Sequence, residues 1–354
     1  MIKDKMNAFV LHKIGDLRYE EIDLPDVDAN SVLLKVKAAG ICGSDIARTF
    51  TTGTYSFPLI MGHEFCGQVV QLGTNCDEKW YNKRVAVFPL IPCKKCRNCI
   101  MGKYEMCTNY NYLGSRCNGA FAEFVSVPEW NLLELPDDVS FEQAAMLEPT
   151  AVAIHAIRRS KIQIGDTVAI YGPGTIGLIL AQLARIAGAA KVLLIGRNDE
   201  KLKIANTLGF DDTCNLTNVD PVQWILEKTD GLGVNMAVEG TGTGEIFNLC
   251  LESVMSEGVI VTMGNPASDF TVAKNTYWKI LRKQLTVVGT WNSSFGTETN
   301  NDWKTALTFI QSGQLNLDTL ITHLLKPDQL HEGLEIMRNN KIISNKIILS
   351  NNEK

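Results

Sequence analysis

Between Ser31 and Ala38 the residues Val32, Leu34, Val36 and Ala38 fall on one side of a two-residue period, with Lys35 and Lys37 on the other. Parts of Cys66–Leu72 and Arg84–Phe88 repeat this alternation, which predicts half-buried strands. Glycines and prolines punctuate these runs, and no long amphipathic helix is predicted before residue 140. Residues 1 to about 150 therefore read as an all-β unit such as a partly open barrel. The texture then changes. Ser140-Phe141-Glu142-Gln143 is a capping-box pattern, which predicts a helix running into Met146-Leu147. From Val168 onward apolar runs (VAIYG, KVLLIG, VNMAVEG, GVIVTMG, LTVVGTW) alternate with helical patterns (TIGLILAQLARIAG, EKLKIANTLG, EIFNLCLESV). In the first of these helices Ile176, Ile179, Leu180, Leu183 and Ala187 form one apolar stripe, and Gly188 suits its C-terminal cap. Such alternation describes a doubly wound parallel sheet over residues 151–295. After residue 295 come a helix, the segment LNLDTLI, a helix over Leu330–Met337 and a strand over Asn345–Leu349. That last strand is expected to return to the N-terminal unit, which groups 296–354 with 1–150.

Composition narrows the class. A chain of 354 residues with 45% apolar and 21% charged residues is ordinary globular material, long enough for two cores. A net charge of −5 gives no sign of a nucleic-acid or anionic-membrane partner. The N-terminus MIKDKMNAFV carries charges where a signal peptide needs an apolar run, and Arg185 and Lys191 interrupt the longest apolar stretch. Ten cysteines without a secretion signal point to a reducing compartment, so a cytoplasmic location is expected.

Four of those cysteines, Cys93, Cys96, Cys99 and Cys107, are spaced three, three and eight residues apart within PCKKCRNCIMGKYEMC. Four thiolates so close fill all corners of a tetrahedral site, which predicts a structural zinc in a lobe over about 90–110. The spacing does not fit an iron–sulfur run, since Cys107 is followed by Thr108 rather than proline.

Gly172-Pro173-Gly174-Thr175-Ile176-Gly177 follows a predicted strand and opens a predicted helix. It is the G-x-G-x-x-G turn in the context a dinucleotide site needs, with a helix N-terminus aimed at the pyrophosphate. The next strand ends in Gly196-Arg197-Asn198, where an NAD site usually has an acidic residue. A small residue followed by a guanidinium suits a 2′-phosphate, so NADP is expected. The alternative is NAD, with Arg197 solvated and Asp199 taking the acidic role.

An open metal site needs ligands outside the four-cysteine lobe. Cys42 and His63 lie twenty-one residues apart in glycine-rich turns with acidic neighbours, and Leu147-Glu148-Pro149 adds a carboxylate at the predicted domain junction. Gly62-His63-Glu64-Phe65-Cys66-Gly67, followed by Gly73 and Cys76, resembles the signature of zinc-containing medium-chain alcohol dehydrogenases. The cysteine lobe and the Gly172–Gly177 turn stand in that family's order, and the resemblance covers essentially the whole chain. It implies a GroES-like β-barrel catalytic domain joined to a Rossmann domain. It also implies two zinc ions per chain, the catalytic one held by Cys42, His63 and Glu148. Glu64 resembles the adjacent carboxylate that can enter the zinc's shell, Asp45 the partner of the histidine, and Ser44 the hydroxyl that takes the substrate's proton. The glutamate at 148 and the phrases GHEF, YLGSRCNGAFAEF and WKILRKQLTVVGTW are most similar to the family's polyol branch, the galactitol-1-phosphate and related sugar-alcohol dehydrogenases. Gly196 departs from those relatives, which usually have aspartate there and use NAD.

The activity so implied is a reversible hydride transfer between a secondary hydroxyl of a polyol or polyol phosphate and the nicotinamide. A non-phosphorylated polyol or a simple secondary alcohol is the alternative substrate. Arg116 is a candidate contact for a substrate phosphate and Asn292 for a hydroxyl. A non-catalytic, zinc-stapled nucleotide-binding protein is the rival class. Small-molecule partners and a homo-dimer or homo-tetramer are expected from the resemblance.

Overall fold

The structure is a computed structural model that describes residues 4–296, 301–339 and 341–350. The first three residues of the charged N-terminus, and positions 297–300, 340 and 351–354 of the C-terminal stretch, lie outside the described residues. The chain divides into two compact units, Met1–Pro149 with Ser294–Gln311 and Ile321–Lys354, and Thr150–Ser293 with Ser312–Leu320. The pattern placed 296–354 wholly with the first unit, whereas Ser312–Leu320 joins the second. The Gln182 amide explains the difference. Its Oε1 accepts from the Asn316 N–H at 2.8 Å and its Nε2 donates to the Asn316 carbonyl at 3.2 Å, so a buried side chain is satisfied from that segment.

In the first unit a seven-stranded sheet runs in the order Leu132–Glu134, Arg84–Val87, Glu64–Leu72, Ser31–Ile41, Lys346–Ser350 and Ile321–Leu325, with Phe124–Pro128 also paired to Ser31–Ile41. The strand predicted from Ser31 extends to Ile41, because Ala38–Ile41 is buried throughout and so carries no alternation. The final strand does return. Lys346–Ser350 pairs antiparallel with Ser31–Ile41, Ile347 opposite Ile41 and Ser350 opposite Ala38. Val32, Leu34, Val36, Phe65, Val69 and Ile347 belong to the core these strands enclose.

The capping box forms as read: Ser140 Oγ accepts from the Gln143 N–H at 3.1 Å, and Gln143 Oε1 accepts from the Ser140 N–H at 3.2 Å. The helix it opens stops at Ala144, short of the predicted Met146-Leu147, and a second helix, Leu147–Ser160, begins. Pro149 has no N–H for a continuous ladder but is tolerated in a first turn, so the break falls just before it. Glu148 is thereby placed at the start of a helix.

The second unit is a six-stranded, all-parallel sheet ordered Thr213–Asn215, Lys191–Gly196, Thr167–Tyr171, Val234–Glu239, Val254–Thr262, Thr286–Gly289. Numbered along the chain this is 3-2-1-4-5-6, the order of a dinucleotide-binding sheet. Among the described residues no helix is long and apolar enough to cross a membrane.

Candidate functional site

Strand pairing brings the distant motifs of the first unit together. Ser31–Ile41 ends just before Cys42, and Gly40 lies opposite Glu64 in the antiparallel register. Ile347 lies opposite Ile41 on the other side. Cys42, His63-Glu64 and Lys346 therefore converge at one end of the sheet. Gly62 makes the turn that delivers His63, with φ +95°, and a Cβ there would collide with the Phe121 backbone N and ring. Gly40 leaves the space in which Glu64 and Lys346 meet, since its Cβ would strike both side chains.

Ligand atoms of Cys42, His63 and Glu64 all lie within 4.8 Å of one another. The sequence reading grouped Glu148 with Cys42 and His63, but the carboxylate within that distance is Glu64. Glu148 is buried, with its Oε1 accepting from the Tyr112 hydroxyl at 3.1 Å. Glu64 forms an ion pair with Lys346, whose Nζ also donates to the Ile41 carbonyl at 3.1 Å, and both side chains are only 3% exposed. Asp45 is fully buried beneath the histidine. Its Oδ1 is 3.6 Å from His63 Nδ1 and 3.2 Å from Arg48 Nη1, and its Oδ2 accepts from the Cys42 N–H at 3.0 Å. Among the described residues His63 Nδ1 has no hydrogen-bond partner. Ser44 Oγ accepts from Arg48 Nη1 at 2.8 Å.

The electrostatics of this pocket favour added positive charge. Burial opposes protonation of His63, yet the Asp45 carboxylate and Cys42 sulfur outweigh it and hold the ring well above its ordinary value. Burial pushes the Glu148 carboxyl up to about 7, opposed by His63 and reinforced by Glu64. The His63 shift draws in a proton because two anionic groups face the ring, whereas the Glu148 shift comes mainly from burial. One sulfur, one imidazole and one carboxylate are also the donor set of an open zinc site. The residues present fit a divalent cation.

The four-cysteine lobe is equally compact, with its sulfurs within 4.8 Å of one another and those of Cys96 and Cys107 3.9 Å apart. Zinc–sulfur bonds of about 2.3 Å place tetrahedral sulfurs about 3.8 Å apart, so the geometry suits the metal. Backbone N–H groups of Cys99 and Thr108 draw the Cys96 thiol down to about 5, and those of Lys95 and Cys96 lower Cys93. Burial instead pushes Cys99 up to about 12. A backbone that feeds N–H donors to sulfur is arranged for thiolates.

In the second unit Gly172, at φ +104°, turns the chain from the strand Thr167–Tyr171 into the helix Thr175–Ile186. A Cβ on Gly177 would strike the Gly172 carbonyl, whereas one on Gly174 would meet nothing within 4 Å. The third glycine is thus required by packing, and the second leaves an open face where a phosphate fits. Thr175 and Ile176 start the helix whose N-terminus faces that turn. Gly196 is also fixed by packing, because its Cβ would meet Pro173 Cγ at 2.7 Å. Arg197 Nη2 donates to Glu245 Oε2 at 2.6 Å. Asp199, the alternative acidic residue, begins the helix Asp199–Thr207, and its Oδ1 accepts from Asn215 Nδ2 at 2.7 Å.

The two substrate candidates differ in setting. The Arg116 guanidinium lies over the rings of Tyr55 and Tyr110, at 4.1 and 4.5 Å, and among the described residues it donates no hydrogen bond. Asn292 adopts φ +51°, and its Nδ2 is a buried donor without a partner among the described residues. Sequence reasoning missed Lys346, Tyr112 and Arg48. Lys346 was the detectable one, a lone charge opening a strand that is otherwise apolar up to Ser350.

Known proteins resemble the chain over nearly its whole length. The alcohol dehydrogenase GroES-like domain family matches residues 28–137, and the zinc-binding dehydrogenase family matches 175–312. Galactitol 1-phosphate 5-dehydrogenase of Escherichia coli is 32% identical over 319 residues, spanning 90% of this chain and 92% of that protein. L-threonine 3-dehydrogenase of Rhizobium etli is 31% identical, spanning 98% and 99%, and sorbitol dehydrogenase of Bacillus subtilis is 29% identical, spanning 94% of each. The crystal structure of Escherichia coli galactitol-1-phosphate dehydrogenase superposes with a TM-score of 0.91 at 30% identity, covering 98% of this chain and all of that one. A zinc-binding dehydrogenase of Sinorhizobium meliloti bound to NADP superposes with a TM-score of 0.90 at 28% identity and the same coverage. The chain belongs to the zinc-binding, medium-chain alcohol dehydrogenase family, with a GroES-like unit and a Rossmann unit.

Proposed function

We propose that this dehydrogenase transfers a hydride reversibly between a secondary hydroxyl of a polyol phosphate and NADP, with zinc held at Cys42, His63 and Glu64. The convergence of those three side chains within 4.8 Å carries the reading. Bound zinc supplies Lewis-acid polarisation of the hydroxyl, and bound nicotinamide accepts the hydride. The chain's own residues do the rest. Asp45 orients the His63 ring by facing Nδ1, which leaves Nε2 as the ring's other donor atom. Glu64 has two oxygens, so it can hold Lys346 with one and a cation with the other. Glu148 and Tyr112 form the next polar pair, where a carboxyl pushed up to about 7 can hold or release a proton. Ser44 relays the substrate's proton: Arg48 donates to one lone pair of its oxygen, the other lone pair accepts from the substrate hydroxyl, and the serine's own hydrogen passes to water.

Cys93, Cys96, Cys99 and Cys107 hold a second, structural zinc. Arg116 recognises the substrate phosphate, supported by a guanidinium that two tyrosine rings orient and that no carboxylate among the described residues neutralises. Asn292 is the candidate hydroxyl donor. The sorbitol dehydrogenase relative keeps a free polyol as the second reading. A cytoplasmic location is supported by ten free cysteines. A homo-dimer or homo-tetramer is supported by the edge strand Thr286–Gly289, beside which Trp291 is half exposed. The test is a panel of pentitols, hexitols and their phosphates against NAD and NADP. Preference for phosphorylated substrate that Arg116→Gln abolishes supports the reading, and equal use of free and phosphorylated polyols overturns the role of Arg116.

A further inference from the structure

One charged pair in the second unit has a part to play that the hydride transfer does not require. Arg197 immediately follows the strand Lys191–Gly196, the place from which a dinucleotide sheet contacts the adenine-side ribose. Its partner Glu245 stands in the first turn of the helix Gly244–Ser253. The loop carrying Glu245 is braced from below. Buried Glu239 Oε1 accepts from the Thr241 N–H at 2.7 Å, the Thr241 hydroxyl at 2.7 Å and the Gly242 N–H at 2.8 Å. Thr243 Oγ1 then caps the helix by accepting from the Ile246 N–H at 3.4 Å. The backbone at 245 is therefore fixed, while the Arg197 and Glu245 side chains, 57% and 58% exposed, are held among the described residues by each other alone. An exposed pair of this kind is easily parted.

Gly196 contributes no discrimination of its own, since Pro173 already requires a glycine there. The Asn198 Oδ1 is occupied, accepting from the Lys201 N–H at 3.1 Å. Arg197 is the cation that directly follows the strand, placed to tell a phosphorylated ribose from a bare one. A guanidinium pairs best with phosphate through two parallel N–H donors, and here one nitrogen is already committed to a carboxylate.

We propose that Glu245 competes with the ribose 2′-phosphate of NADP for the Arg197 guanidinium, so that this pair sets how strongly the chain prefers NADP over NAD. The proposal rests on the dinucleotide site described above. A 2′-phosphate carries about −1.5 to −2 charge and is repelled by Glu245 as Arg197 attracts it. A bare 2′-hydroxyl feels neither effect. At a separation of about 6 Å in a water-like dielectric, removing the carboxylate charge strengthens phosphate binding about five- to tenfold.

The experiment measures binding by calorimetry with adenosine 2′,5′-bisphosphate and with 5′-AMP, so no turnover is involved. Glu245→Gln is expected to tighten the bisphosphate about five- to tenfold and leave 5′-AMP unchanged. In Arg197→Gln the bisphosphate weakens, and adding Glu245→Gln to that background changes nothing further. Thermal melts of each variant confirm folding. An unchanged bisphosphate-to-AMP ratio in Glu245→Gln overturns the competition, as does an equal gain for both ligands. Failure of the NADP reading looks different: the wild type then binds the two ligands alike, while a gain in Glu245→Gln that vanishes without Arg197 still upholds the competition.

Discussion

Replacing Lys346 by methionine probes the buried end of the candidate metal site. The ammonium and the Glu64 carboxylate form an ion pair with both side chains 3% exposed, and the ammonium donates a second bond to the Ile41 carbonyl. Methionine keeps most of the stem's volume but leaves a carboxylate with no countercharge. Breaking a buried pair in this way costs about 3–5 kcal/mol, most of it the uncompensated charge. For a unit of this size each kcal/mol lowers Tm by roughly 2–4 °C, so the metal-free first unit melts on the order of 10 °C lower. Adding Glu64→Gln to Lys346→Met removes the stranded charge and restores most of the loss. Zinc has the same effect by another route, because Glu64 then has a cation to face. Calorimetric melts of wild type, Lys346→Met and the double variant, each with chelator and with zinc, test this. The reasoning is refuted if Lys346→Met melts with wild type in chelator, or if zinc restores none of the difference.

Other perturbations have equally definite outcomes. Asp45→Asn removes the charge facing His63 and Arg48, and weakens zinc binding about 10- to 100-fold, as read by competition with a chelating dye. Cys96→Ser lowers the zinc content from two ions to one and destabilises the 90–110 lobe, seen as faster proteolysis there. The metal-free protein loses stability as pH rises from about 5 towards 7, because Glu148 binds its proton more tightly folded than unfolded, and His63 adds a further loss above about 6.5. Glu148→Gln flattens that slope in denaturant titrations. Arg116→Gln raises KM for a polyol phosphate and leaves KM for the free polyol unchanged.

Local chemistry made much of this legible. The glycine turn announces itself because Gly172 turns the chain at positive φ, Gly177 packs against the Gly172 carbonyl and Gly174 leaves an open face between them, and the cysteine lobe because its ligands are sequence neighbours. The strand at Ser31 was visible through alternation and lost definition at Ala39, where both faces are covered. What the sequence could not convey is register. Gly40 opposite Glu64 and Ile347 opposite Ile41 are facts of pairing across long separations, and they bring Glu64 and Lys346 together beside Cys42 and His63. The same pairing hides Lys346, whose partner is 282 residues away in the chain. Arg197 was read from its place after a strand, but its engagement with Glu245, on another helix, has no local signature.

Anomalous diffraction at the zinc edge from crystals of the metal-loaded protein addresses the core of this account most directly. Two peaks per chain are expected, one among the four lobe sulfurs and one bonded to Cys42 Sγ at about 2.3 Å, a His63 ring nitrogen and a Glu64 oxygen. A single peak in the cysteine lobe, with Cys42 and His63 bare in fully loaded protein, would contradict it.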